Sequence, residues 1–271
     1  MGKPSWVEIA IGFVTNFFDT LGIGSFAPTT SLYKLLKVVP DDQIPGTMNI
    51  GHTPPVLVQA FIFITIVEVE PATLVAWIAA AALGAWLGAG VVAGLPRRSI
   101  QIGMSIALVI AAIAFTASNL QLFPLGGDAR GVGGIQLVLG FVGYLVFGAL
   151  MTLGIGIYAP TMVMVTLMGM TPTTAFPIMM GAAAYLMPVA SIRFLGSKRY
   201  QPKAALGLTL GGIPAVLSAA FIVRSLPLEI VRWLVVAVVL YAASAMLRSA
   251  AQEKRTASAA PESEEPVSGS R

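Results

Sequence analysis

The chain contains one decapeptide twice, and this duplication constrains its fold more than any other feature. Residues 20–29 read TLGIGSFAPT and residues 152–161 read TLGIGIYAPT, so eight of ten positions match at an offset of 132. Nearly the same offset superimposes prolines throughout both halves: Pro40 on Pro172, Pro45 on Pro177, Pro71 on Pro202 and Pro96 on Pro227. The chain is therefore predicted to be two copies of one unit, residues 1–120 and 133–250, joined by a loop at 121–132.

The composition indicates a membrane environment. Hydrophobic residues make up 56% of the chain and charged residues 10%, with a mean hydropathy of +0.85, whereas a soluble domain carries about 25% charged residues. Several apolar runs reach the roughly 20 residues that span a bilayer. We therefore predict an all-α polytopic membrane protein, without a removable signal peptide, built from eight apolar blocks: 6–38, 44–67, 71–95, 99–118, 133–169, 175–195, 203–223 and 228–248.

Several functions are disfavoured by what the sequence lacks. There is no cysteine and only one histidine, His52, so thiol chemistry and a histidine-cluster metal site are not expected. We predict no cofactor, no metal and no nucleic-acid partner. Residues 251–271 are rich in Ser, Ala, Glu and Pro, and we predict that they form a disordered cytoplasmic tail.

The first and fifth blocks are too long for one straight crossing. A 33-residue helix is about 50 Å long, against a hydrocarbon core of about 30 Å. Glycines and a proline interrupt both blocks, at 20–30 and at 152–162. Each block is therefore predicted to form a re-entrant hairpin that turns at its decapeptide, followed by about three spanning helices. A second interruption is predicted in each copy, at 44–55 and 176–188.

The basic residues favour these hairpins over single crossings. With hairpins, 13 of the 16 basic residues fall on one side and 3 on the other, whereas single crossings of the same blocks divide the counted charges 8 to 6. Cytoplasmic loops carry the excess of Lys and Arg. We therefore predict inverted repeats in an inner or plasma membrane, with both termini in the cytoplasm.

Paired interrupted segments in corresponding positions indicate a transport site near the middle of the membrane. A helix that begins there directs free N–H groups and the positive end of its dipole at the break, which favours anions. The residues predicted to bind a small anionic substrate are Gly24, Ser25, Thr29, Thr47, Asn49, His52, Gly156, Tyr158, Thr161 and Tyr185. Because Thr47, Asn49 and His52 have apolar or small counterparts in the second copy, the pocket is expected to be polar on one side only.

Each of these residues also has a structural interpretation. Asn49 and His52 are alternatively hydrogen-bonding links between helices, and Thr29 and Thr161 are alternatively bonded to their own helices. Asp19, one residue before the first decapeptide, is predicted to couple or gate transport, because intramembrane acids are usually functional; alternatively it caps the break. Glycines elsewhere, such as Gly84/Gly88 and Gly207/Gly211, are expected to permit close helix packing.

The duplicated G-I-G-x-x-A-P-T, the P-x(4)-P that follows it and the Gly/Ala-rich helices resemble the TauE/SafE family of sulfite and organosulfonate exporters. The resemblance covers about residues 10–248. It implies an inner-membrane carrier for small sulfur-containing anions, coupled in many members to the proton gradient. One branch of the family imports thiosulfate with cysteines near the pore centre, and that chemistry is not available to this chain.

Three other functions remain as alternatives. A channel, or a carrier for another small organic anion, shares the logic of the anion site. An intramembrane hydrolase requires an activated nucleophile, and Ser25 with His52 is the only serine–histidine pair near the predicted centre. The sequence around Ser25, GIGSFA, lacks the usual nucleophile motif, and Ile157 occupies the equivalent position in the second copy. We therefore predict that the chain is not an enzyme.

The predicted topology is testable because the chain contains no cysteine. A single cysteine introduced at Lys198 is expected to be labelled only from the cytoplasmic side, and one at Asp128 only from outside. Impermeant maleimide labelling of intact cells and of inverted vesicles measures both. Labelling of position 198 from outside would contradict the inverted arrangement.

Overall fold

The computed structural model describes residues 3–122, 127–154 and 156–222, together with Leu240, Ser244, Leu247, Arg248 and Ala251. The predicted last block and the tail lie almost entirely outside these residues. The described ranges form nine α-helices and two one-turn 3-10 helices. The α-helices are α1 (Trp6–Thr20), α2 (Phe26–Leu36), α3 (Ile44–Ile66), α4 (Pro71–Val92), α5 (Arg97–Asn119), α6 (Gly134–Met151), α7 (Tyr158–Leu167), α8 (Ala175–Ser197) and α9 (Pro202–Ile222), and the 3-10 helices are Asp41–Gln43 and Pro172–Thr174.

Local sequence explains where these helices begin and end. Ser5 caps α1 through a reciprocal pair of hydrogen bonds with Glu8, the arrangement called a capping box. Prolines occupy the first turn of α3, α4 and α9, where their missing N–H costs little. Lys37 and Lys198 end α2 and α8 in the left-handed conformation. The predicted breaks in the two long blocks separate α1 from α2 and α6 from α7.

Five helical segments in the described part of the chain are long and apolar enough to span a membrane: Asp41–Ile66, Pro71–Val92, Gly134–Met151, Pro172–Ser197 and Pro202–Ala220. Large apolar side chains on the outer faces are exposed, among them Phe61, Leu87 and Val142. Exposed apolar surface on this scale is typical of a protein that contacts lipid or a partner. Both observations are consistent with a membrane protein.

The second predicted interruption is wrong in both copies. Residues 44–66 and 175–197 are continuous helices, although Pro54 and Pro55 lie inside α3. Pro55 leaves the carbonyl of Gly51 without its usual intrahelical donor. The Thr209 hydroxyl on α9 donates to that carbonyl at 2.8 Å. A neighbouring helix therefore supplies the missing hydrogen bond, and α3 continues through the prolines.

α1 of the first copy packs against α9 of the second, and the two helices run in the same direction. Glu8 lies against Gly207, and one to two turns later Asn16 lies against Gly212. A Cβ atom at Gly207 or at Gly211 would collide with α1. These contacts confirm that Gly207 and Gly211 permit close helix packing.

α4 and α6 repeat this pairing with the two copies exchanged. The Trp77 indole N–H donates to the Leu137 carbonyl at 3.2 Å, and farther along both helices Gly88 lies against Ala149. The two helices are therefore parallel as well. A Cβ atom at Gly84 would meet the backbone of α6, so the packing role predicted for Gly84 and Gly88 is also confirmed.

α3 and α8, which are equivalent helices of the two copies, pack against each other in opposite directions. Gly46 near the start of α3 contacts Phe194 near the end of α8. Phe63 near the end of α3 stacks on Phe176 at the start of α8, with ring centroids 5.5 Å apart. α3 and α8 are therefore antiparallel.

The short helices α2 and α7 turn the chain back toward its starting end. Thr29 on α2 bonds His52 on α3, and Lys34 near the end of α2 bonds Asp41 just before α3, so α2 and α3 are antiparallel. α1 runs parallel to α3, because Asn16 lies beside His52 and Thr20 lies beside Gln59. α1 therefore enters the bundle at the same end at which α2 leaves it. In the second copy Tyr144 on α6 bonds Thr161 on α7. With 15 and 11 residues, α1 and α2 extend about 22 and 16 Å, which is less than a bilayer core.

The glycine packing gives a prediction with a control in the same helix. Gly84→Ala is expected to force α4 and α6 apart and to destabilise the protein by about 1–3 kcal/mol. Gly90→Ala is expected to leave stability unchanged or slightly higher, because Gly90 is exposed and a Cβ atom there meets only Arg193 at 4.0 Å. Thermal unfolding in detergent measures both, and equal melting temperatures would contradict the packing role.

Candidate functional site

Both decapeptides form breaks built around glycines in the left-handed region. Gly22 and Gly24 have φ angles of +85° and +87°, and Gly154 has a φ of +92°. L-residues with side chains rarely adopt such angles. The backbone N–H groups of Gly22 and Ile23 bond back to the last turn of α1. The sequence thus specifies glycine where the chain must reverse.

The helices that follow the breaks begin without a side-chain cap. Ser25 at the start of α2 makes no capping hydrogen bond, and Ile157 at the start of α7 has no polar atom to make one. The first N–H groups of a helix have no partner within the helix. Two sets of backbone donors, each at the positive end of a helix dipole, are therefore directed at the breaks.

The two breaks contact each other in a reciprocal way. A Cβ atom at Gly24 would lie 3.7 Å from the Tyr158 side chain, and one at Gly156 would lie 3.9 Å from the Phe26 side chain. Gly24 aligns with Gly156, and Phe26 aligns with Tyr158. The glycine of each break therefore contacts the aligned aromatic residue of the other break, as expected for two copies related by an approximate twofold axis.

A buried cavity lies where the breaks meet. Its volume is about 10 Å³, roughly the space of one water molecule. In this conformation the cavity is contracted and has no room for a ligand of several heavy atoms. The lining residues are Asp19, Gly24, Ser25, Phe26, Val56, Met151, Gly156, Tyr158, Ala183 and Met187.

Asp19 is the charged residue of the cavity and is 1% exposed. Its Oδ2 accepts a hydrogen bond from the Tyr158 hydroxyl at 3.1 Å, while Ser25 and Gln59 also lie beside the carboxylate. Among the described residues, Oδ1 has no hydrogen-bond partner of ordinary geometry. A buried acceptor without a well-aligned donor is costly. Both the hydroxyl and the backbone N–H of Ser25 lie beside the carboxylate, which matches the alternative role of Asp19 as a cap of the break.

Sequence reasoning missed Gln59, which supports this carboxylate. Its amide donates to the Thr20 hydroxyl at 2.8 Å, and its Oε1 lies 3.4 Å from the Tyr158 hydroxyl. The available signal was an isolated amide within the apolar run VLVQAFIFITI. Buried polar side chains need partners, so a glutamine in such a run indicates a neighbouring polar group.

His52 and Thr29 lie outside the cavity lining and belong to a hydrogen-bonded chain across three helices. Asn16 on α1 donates to the Gly12 carbonyl, and its Oδ1 lies 3.1 Å from His52 Nδ1. His52 Nε2 lies 3.0 Å from the Thr29 hydroxyl. Because Asn16 Oδ1 can only accept a hydrogen bond, His52 Nδ1 carries the proton and donates to it. His52 Nε2 is then an acceptor, and the Thr29 hydroxyl donates to it. This arrangement matches the alternative role of His52 as a link between helices.

The remaining predicted residues lie in different places. Thr47 accepts a hydrogen bond from the Gln201 N–H at 2.9 Å and joins α3 to the start of α9. Asn49 is buried, and its amide donates to its own helix. Thr161 is paired with Tyr144, and Tyr185 is 60% exposed on α8. The structure brings Asp19, Gly24, Ser25, Gly156 and Tyr158 together at the cavity, and places these other residues away from its lining.

A larger open pocket lies at one end of the bundle, near a stacked aromatic pair. That pocket has a volume of about 660 Å³ and is lined by Ile66, Val67, Glu68, Asp128, Arg130, Thr171, Thr173 and Thr174. The stacked rings of Phe63 and Phe176 lie just before it on α3 and just after it on α8. The Phe176 ring also packs against Gly22 of the first break.

The cavity contains neither a cluster of metal ligands nor a basic side chain. No group of three or more His, Asp or Glu residues occurs within the described ranges, and no Lys, Arg or His lines the cavity. The polar groups at the cavity are the Asp19 carboxylate, the Ser25 and Tyr158 hydroxyls, and the backbone at the starts of α2 and α7. Comparison with family models, with curated proteins and with solved structures gave no match.

The chain of hydrogen bonds through His52 predicts a stability effect. Thr29→Val leaves His52 Nε2 buried without a donor and is expected to destabilise the protein by about 1–3 kcal/mol. Thr53→Val is the control, because that hydroxyl bonds only to the Asn49 carbonyl of its own helix, and its loss should be smaller. Thermal unfolding of both variants measures the difference; equal losses would show that the link from Thr29 to His52 adds nothing.

Proposed function

We propose that this protein is a secondary transporter of small sulfur-containing anions, sulfite or an organosulfonate, across the inner or plasma membrane. The observation that carries the proposal is the meeting of the two helix breaks at one buried cavity. Interrupted helices in corresponding positions of two repeats are the usual construction of a transporter's central site. Substrate binding is assigned to the starts of α2 and α7 with Ser25 and Tyr158, and coupling or gating, with protons as the candidate ion, to Asp19.

The packing of equivalent helices supports alternating access. Because α3 and α8 are antiparallel and both are long enough to cross a bilayer, the proposed axis relating the copies lies in the membrane plane. The two copies then have opposite orientations, with both termini in the cytoplasm. Rocking one copy against the other would expose the cavity to each side in turn. The contracted cavity is the expected feature of an occluded state.

The motifs and the site chemistry support the substrate class. The paired G-I-G-x-x-A-P-T resembles the TauE/SafE family, whose substrates are small sulfur oxyanions and sulfonates. Helix N-termini bind such oxyanions without a fixed positive charge. A hydrolase built on Ser25 and His52 has less support, because both ring nitrogens of His52 face Asn16 and Thr29.

Flux measurements on purified protein in liposomes test the proposal. Sulfite and short sulfonates are expected to enter saturably, and unlabelled substrate inside should accelerate uptake of labelled substrate from outside. Such counterflow distinguishes a carrier from a channel. Rapid flux without saturation or counterflow would indicate a channel, and no flux or binding of any small anion would overturn the proposal.

The glycines of the breaks give the corresponding mutational prediction. Gly24→Val and Gly156→Val are each expected to reduce transport below a tenth of wild type, because valine at position 24 requires a φ near +87° and both side chains enter the contact between the breaks. Pro28→Ala should retain partial activity, since its ring mainly favours the restart of α2.

Gly196→Val is the control, because a Cβ atom at Gly196 meets nothing within 4 Å. Transport is normalised to the folded protein in the membrane, measured by size-exclusion chromatography. Full activity in both Gly24→Val and Gly156→Val would mean that these glycines only permit packing.

A further inference from the structure

The charges around the cavity are not those of a simple anion site. Two helix N-termini supply backbone donors that favour negative charge. Asp19 introduces a carboxylate on the same cavity, and no basic residue lines the cavity to balance it. A simple anion would therefore lie beside an ionised carboxylate, unless Asp19 took up a proton whenever the anion bound. A ligand that carries both charges avoids this conflict.

The open position on Asp19 indicates where a positive group would bind. Oδ2 is already bonded to Tyr158, and Oδ1 is buried without a partner of ordinary geometry among the described residues. An ammonium group carries three donors and no acceptor. It would satisfy Oδ1 and neutralise the carboxylate, whereas a water molecule does only the first and a sulfonate does neither.

We infer that the ligand of this cavity is a short zwitterion, an aminoalkyl sulfonate, whose ammonium group binds Asp19 and whose sulfonate binds the N-termini of α2 and α7. This inference rests on the proposed function and specifies its substrate class. The linker between the charges is short, because Asp19, Ser25 and Tyr158 all lie on one small cavity. The Tyr158 hydroxyl stays on Asp19 Oδ2, so the backbone N–H groups at the two helix starts are the donors for the sulfonate oxygens.

The rest of the lining suits the carbon atoms of such a ligand. Val56, Met151, Ala183 and Met187 are apolar, and they would contact a chain of one or two methylene groups. Methionine side chains are flexible and adapt to irregular shapes. Movement of Met151 and Met187, together with a small separation of the breaks, would provide the volume that the contracted cavity lacks.

A matched pair of ligands tests the inference. 2-Aminoethanesulfonate and 2-hydroxyethanesulfonate have the same heavy-atom skeleton and differ in the ammonium group. Calorimetry on the full-length protein at neutral pH is expected to show at least tenfold tighter binding of the amino compound. Equal affinities, or tighter binding of the hydroxy compound, would overturn the zwitterion assignment even if no variant folded.

Variants show which side chain recognises the ammonium group. Asp19→Asn is expected to weaken binding of the amino compound at least tenfold and to strengthen binding of the hydroxy compound. Tyr158→Phe keeps the carboxylate and should retain the preference for the amino compound. Asp128→Asn, an exposed acid outside the cavity, is the matched control and should bind both ligands as wild type does.

The outcomes separate this inference from the proposed function. If the hydroxy compound and sulfite bind and are transported, and Asp19→Asn leaves the ratio of affinities unchanged, the carrier stands and Asp19 only caps the break. If neither sulfonate nor sulfite binds or is transported, the proposed function itself fails.

Discussion

The structure depends on backbone N–H groups that two interrupted helices leave unpaired inside an apolar protein. In a bilayer each such group costs several kcal/mol if it finds no partner, so a break of this kind survives only where other groups surround it. The two breaks lie against each other. Gly24 and Gly156 let each break approach the first residue of the opposite half-helix. The glycine packing of α1 with α9 and of α4 with α6 then holds both hairpins in place.

The copies share a backbone plan but differ in the side chains that face the cavity. Asp19 aligns with Met151 and Ser25 aligns with Ile157, so at these positions the first hairpin is polar and the second apolar. At a third position the order is reversed, because Phe26 aligns with Tyr158. Two like charges about 4 Å apart repel by about 4 kcal/mol at an effective dielectric constant near 20. A repulsion of this size would decide which ligands bind. Under the proposed function, divergence at a few positions would determine selectivity without altering the fold.

Glycine and proline made the course of the backbone predictable from the sequence. The contacts of the side chains were less predictable, because they depend on how each helix is rotated in the bundle. The positions of the breaks and of the packing glycines could be predicted, because glycine and proline act on the backbone at their own positions. Whether a proline interrupts a helix depends on a distant donor, here Thr209 for the carbonyl of Gly51, which no local pattern reveals. Alignment placed Tyr185 opposite Thr53, but the exposure of Tyr185 depends on how α8 is rotated in the bundle. The partner of His52 is likewise on another helix, 36 residues away.

In each copy, the first helix of the hairpin packs against a helix of the other copy. This arrangement has a consequence for how the chain assembles during synthesis. α1 leaves the ribosome before α9, its main packing surface, which is made almost 200 residues later. Contacts of such long sequence separation form slowly and late. The first hairpin must therefore remain in the membrane with Asn16 and Asp19 incompletely packed until the second copy has been inserted. Neither copy has the surfaces to complete its own hairpin, so the two halves are expected to become stable together, in one final docking step.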